Sequence, residues 1–73
     1  MVQKIGGLLY DGTTSPYAPL DDIRAEIARL RLWLADPSYE FSDFARSQLE
    51  GAIAQRERWI REREGQERSG AGG

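Results

Sequence analysis

The stretch QRERWIRERE, residues 55–64, sets four arginines around a tryptophan and an isoleucine. Cations interleaved with an aromatic ring are what a helix needs to hold phosphates and stack on bases. Here Arg56, Arg58, Arg61 and Arg63 alternate with Glu57, Glu62 and Glu64. Affinity for phosphate comes from uncompensated positive charge that displaces counterions, and this helix carries its own counterions. Glu57 and Arg61 are four residues apart in the favourable order, which supports a solvated, self-paired helical face. Nucleic acid is therefore not the expected partner. A nucleic-acid accessory role stays as an alternative, to be separated by retention on heparin or DNA at low salt.

Other chemistry-bearing combinations are sparse. The chain has no cysteine and no histidine, and Lys4 is its one lysine. Asp21 with Asp22, and Glu62 with Glu64, are paired acids, but no base or nucleophile stands near them, and helix capping or a solvated surface accounts for them. The acids lack EF-hand spacing, and no glycine loop leads into a lysine and a hydroxyl residue. The expectation is a protein that is not an enzyme, with no catalytic residue, no metal and no cofactor. Net charge is −2 with 30% charged residues, so no global field favours nucleic acid or an acidic membrane. No apolar run is long enough for a signal peptide or a membrane span; the expected location is the cytoplasm, that of the host cell if the chain is phage-encoded.

The elements that must position these residues read as mainly α: an antiparallel two-helix hairpin, a short extended or β-ribbon N-terminal arm, and a disordered C-terminal tail. Residues 1–18 form the arm. Val2, Ile5, Leu8, Leu9 and Tyr10 flank Gly6 and Gly7, which suits a weak ribbon or an extended segment, and DGTTSP, residues 11–16, has turn chemistry. The hairpin spans 19–64. Pro19 suits the first helical position, with Asp21 and Asp22 in the first turn. Leu20, Ile23, Ile27, Leu30 and Leu34 then step by three and four onto one stripe. Asp36-Pro37 ends that helix. A second begins near Phe41 or Ser42 and runs to about Glu64, burying Phe41, Ala45, Leu49, Ala52, Ile53, Trp59 and Ile60. Residues 65–73 have nothing to bury and are expected to be flexible.

Two features do not fit a plain hairpin. Arg56 falls in the middle of the second helix's apolar sector, either as an anchor for a partner's carboxylate or with its stem on Trp59 and its guanidinium on an acid of the same chain. Ala25, Ala28 and Leu32 lie on the first helix away from its main stripe, with Trp33 at the other flank beside Glu26. Either the arm or a foreign chain must cover them. In 73 residues a core is marginal without outside help. The expected function is a small protein-binding module, an adaptor or phage-type inhibitor, that contacts another protein or a second copy of itself through Ala25, Ala28, Leu32, Trp33, Arg56 and Trp59. A self-assembling structural component is the alternative, and sedimentation separates the two.

Overall fold

The computed structural model describes residues 2–8, 10 and 12–72, with side chains as far as residue 66. Met1, Leu9, Asp11 and Gly73, to which the readings of arm, turn and tail extend, lie outside the described residues. The order is β1 (Gln3–Ile5), α1 (Leu20–Ala35), β2 (Tyr39–Phe41) and α2 (Asp43–Gly72).

Helix α1 starts one residue after Pro19, which the sequence suggests as the first helical position. Pro19 takes the N-cap, its carbonyl accepts from the amides of Asp22 at 3.0 Å and Ile23 at 3.2 Å, and Asp21 and Asp22 occupy the first turn. Asp36 closes the helix, donating its N–H to the Trp33 carbonyl at 3.1 Å. Its carboxylate then accepts the Ser38 amide at 2.9 Å, the local bond that lets aspartate organise a turn. Ser42 caps α2, its hydroxyl accepting the Ala45 amide at 3.1 Å. α2 continues through Gly65 to Gly72, past the end near Glu64 that the sequence suggests. A lone glycine costs a helix about 1 kcal/mol relative to alanine without barring helical backbone.

The arm departs from a local ribbon. β1 pairs in parallel with β2, in the register Gln3↔Tyr39, Lys4↔Glu40, Ile5↔Phe41. Its partner is thus the connection between the helices, which reads in the sequence as a plain linker. A parallel pair needs a crossover of a dozen residues or more, and α1 with the rest of the arm supplies it. Ser42 locks the junction: its amide donates to the Ile5 carbonyl at 2.9 Å and its hydroxyl to the Gly6 carbonyl at 2.6 Å.

Ile23, Ile27, Leu30, Phe41, Ala45, Leu49 and Ile53 form the buried core, with Leu20, Leu34, Ala52, Trp59 and Ile60 packed on it. The stripes of both helices therefore meet. From the arm, Ile5, Leu8, Tyr10 and Ala18 join them. Among the described residues no helix is long and apolar enough to cross a membrane.

Candidate functional site

Each helix carries one charged residue on its apolar stripe. Glu26 stands three residues after Ile23 and four before Leu30; Arg56 stands three after Ile53 and four before Ile60. Helix packing brings the two stripes together, so the charges meet inside: Glu26 is 0% exposed and Arg56 3%, with Arg56 Nε donating to Glu26 Oε1 at 2.5 Å.

The arm completes the site. Glu26 Oε2 accepts three bonds, from Tyr10 Oη at 2.6 Å, from the Thr13 amide at 2.7 Å and from the Thr13 hydroxyl at 3.0 Å, while the Thr14 hydroxyl donates to Oε1. Arg56 sends a second N–H to the Ala52 carbonyl at 3.0 Å. Its guanidinium lies 5.5 Å from the Tyr10 ring centroid and 5.2 Å from that of Trp59, within cation–π range. Gly12 makes the close approach possible. Its φ is +84°, and a Cβ there would collide with the Arg56 guanidinium. Only glycine meets both demands without strain.

Burial by itself would raise the Glu26 carboxyl, but hydrogen bonds from Thr14, Tyr10, Arg56 and the Thr13 amide outweigh it and hold the group well below the usual carboxylate range. Tyr10 moves the other way: burial first, then its bond to Glu26 and that residue's negative charge, push the phenol up to about 12. The site therefore keeps a carboxylate ionised and a phenol neutral across ordinary pH.

Its chemistry is closed. A general base needs a lone pair within reach of a substrate proton, whereas five donors of the chain converge on the Glu26 oxygens. Among the described residues no buried side-chain polar atom lacks a partner. What the arrangement does is tie the arm to the helix pair, since Tyr10, Thr13 and Thr14 all donate to the Glu26 carboxylate. Burying two charges costs several kcal/mol that their attraction roughly offsets, so the pair adds little net stability even though loss of either partner is costly.

The residues that the sequence singles out for a partner do not lie together. Arg56 is enclosed and paired with an acid of its own chain, with Trp59 half-buried beside it. The guanidinium is therefore unavailable as a surface anchor, because Glu26 faces it from the opposite stripe. Trp33 is half-buried, edge-on to Tyr39 at 6.0 Å and to Phe41 at 5.4 Å. Ala25, Ala28 and Leu32 remain exposed. The arm leaves them bare because it is spent on the Glu26 side.

The remaining arginines disperse. Arg63 donates to the Ala18 carbonyl and holds the end of the arm. Glu57 bonds Arg31 across the helix pair instead of the expected Arg61, and Arg24 meets Glu64 at 3.0 Å. Sequence reading missed Glu26, Tyr10, Gly12, Thr13 and Thr14 as members of the site. For Glu26 a signal existed, namely opposite charges interrupting two stripes that must face each other; the arm residues have no periodicity that would reveal them. No protein-family model matches this chain, and neither does any curated protein or solved structure.

Proposed function

We infer that the chain is a non-enzymatic module, of the adaptor or inhibitor kind, that works by contact with another protein. Its frame is an antiparallel pair of helices with the arm strapped across one side, and its setting is the cytoplasm. The contact surface is the α1 side bearing Ala25, Ala28 and Leu32. The observation that carries this reading is Leu32, 73% exposed beside two exposed alanines, on the side of α1 that the arm leaves uncovered. Contiguous apolar surface on a small protein marks an interaction site more often than a scattered side chain does. Trp59 and Arg56 support the arm, and their part in binding is indirect.

Leu32→Asp tests the reading. Circular dichroism is expected to match wild type, because the side chain is already in water. Association, measured by sedimentation for a second copy and by co-purification from the native host for a foreign partner, is expected to weaken by more than about 1 kcal/mol, the threshold for a contributing interface residue. A folded variant that associates as wild type does removes this face from the interface.

A further inference from the structure

Tyr17 is the barest large apolar side chain among the described residues, 91% exposed, yet the backbone that carries it is fixed. Ser15 and Pro16 open a turn in positions that both residue types favour, and the Ala18 amide closes it on the Ser15 carbonyl at 3.1 Å. The Ser15 hydroxyl accepts the Tyr17 amide at 3.2 Å, Arg63 donates to the Ala18 carbonyl, and Pro19 caps α1 directly after. A phenol is therefore held out in water on a restrained support. Beside it, between this turn and α2, lies a cleft of about 360 Å³ lined by Pro16, Tyr17, Trp59, Glu62, Arg63 and Gln66. We propose that this patch is the seat of a two-fold dimer, in which the Tyr17 ring of each copy enters the cleft of the other. The contact is separate from the one on the α1 face and goes beyond it.

Three features select a second copy as the occupant. The first is shape. A projecting ring stands beside a cleft whose size falls within the roughly 300–1,000 Å³ of sites that hold a small ligand. A two-fold contact pairs one patch with itself, so that residue i meets j and j meets i. A knob adjoining a hole is the form this requires, because each copy supplies what the other lacks. The second feature is charge. Glu62 and Arg63 bring one carboxylate and one guanidinium to the cleft, so two copies meet without an excess of either sign. Among the described residues Glu62 makes no ion pair, and its carboxylate is an acceptor for the hydroxyl of an incoming tyrosine, which needs one once buried. The third is preorganisation. A turn already restrained loses little freedom on binding, and tyrosine is enriched among the residues that dominate interfaces.

Sedimentation equilibrium tests this with the full chain and with Leu32→Asp, which removes contact through α1. Both are expected to form a concentration-dependent dimer below about 1 mM. Tyr17→Ala, made in the Leu32→Asp chain, should raise the dimer Kd at least about tenfold. Circular dichroism should not change, since the ring is in water. Glu62→Trp in the same chain, which fills the cleft from an exposed position, should weaken the dimer likewise. Mixing these two variants is the sharper test. Each alone offers no ring facing an open cleft, whereas a mixed pair keeps one, so native mass spectrometry is expected to show mixed dimers in excess of random pairing. A monomeric wild type, a dimer that Tyr17→Ala leaves intact, or mixed dimers at the random share overturns the proposal. If wild type dimerises and Leu32→Asp alone abolishes the dimer, this patch falls and contact through α1 stands. If Leu32→Asp still dimerises through Tyr17 and keeps every foreign partner of the wild type, this patch stands and the α1 contact falls.

Discussion

Arginine–carboxylate pairs join α1 to α2 on both sides of the helix pair, and the two sides differ in everything but that chemistry. Under the arm, Glu26 and Arg56 are 0% and 3% exposed and enclosed by Tyr10, Thr13 and Thr14. On the open side, Arg24–Glu64 and Arg31–Glu57 have side chains between 41% and 60% exposed. Exposed pairs gain little, because water screens them and long side chains lose freedom. Buried pairs are held by each other, so either partner alone becomes a liability. The contrast shows that the environment, more than the pairing, decides what an ion pair does: one side organises the fold, and the other stays available.

The hardest test of that contrast is Arg56→Ala. It leaves a buried carboxylate with hydroxyl and amide donors but no cation, and the expected loss is about 3–5 kcal/mol, enough to unfold many domains of this size. Replacing both partners, Glu26→Gln with Arg56→Met, should cost less than the sum of the two single changes, because no orphaned charge remains. Urea unfolding of the set measures this. A loss below about 1 kcal/mol for Arg56→Ala would put the buried pair on the footing of exposed ones and erase the distinction.

The same pair predicts a pH profile. The Glu26 carboxyl titrates in the folded chain below its ordinary 4.5, so on acidification the unfolded chain takes up its proton first. The stability it contributes is full above about 4.5 and is lost as pH falls through the folded value. Tyr10, raised from 10.0 to about 12, gives the mirror image: its contribution is intact below 10 and disappears as pH rises through about 12. Thermal midpoints are expected to decline at both ends, with Glu26→Gln flattening the acid limb. A wild-type midpoint unchanged from about pH 5 to about pH 3 would show that the carboxylate is not held as described.

Glycines sharpen the comparison at smaller cost. Gly12→Ala asks for a side chain at positive φ, worth about 1–3 kcal/mol of strain, and for space the Arg56 guanidinium fills. Gly51 lies inside α2 with open space where a Cβ would go, and alanine there should stabilise by about 0.5–1 kcal/mol. Opposite signs in chemical denaturation are the expected result; a harmless Gly12→Ala would mean that the arm does not approach Arg56 so closely. The smallest effect belongs to the open side. Arg31→Ala should change stability by less than about 1 kcal/mol, and a larger loss would mean that the exposed bridges also hold the helices together.

Local periodicity made the helices and their buried faces legible. Ile23, Ile27, Leu30, Leu49 and Ile53 could be placed from spacing alone, since a 3.6-residue turn puts them on one side whatever lies opposite. Asp36-Pro37 and Ser42 marked the break and the cap for equally local reasons, steric and hydrogen-bonding. The same spacing showed Arg56 out of place and could have shown Glu26 so, but a period says which face a residue is on and nothing about what meets it. That was decided by tertiary structure. Glu26 finds Arg56 across 30 positions of chain, β1 finds β2 across the whole of α1, and the arm crosses one side of the helix pair because Tyr10, Thr13 and Thr14 satisfy a carboxylate there. Apart from the opposite charges on the two stripes, these are contacts between segments whose own sequences carry no record of each other. Only the packed chain, where an unpaired buried charge is too costly to leave, selects them.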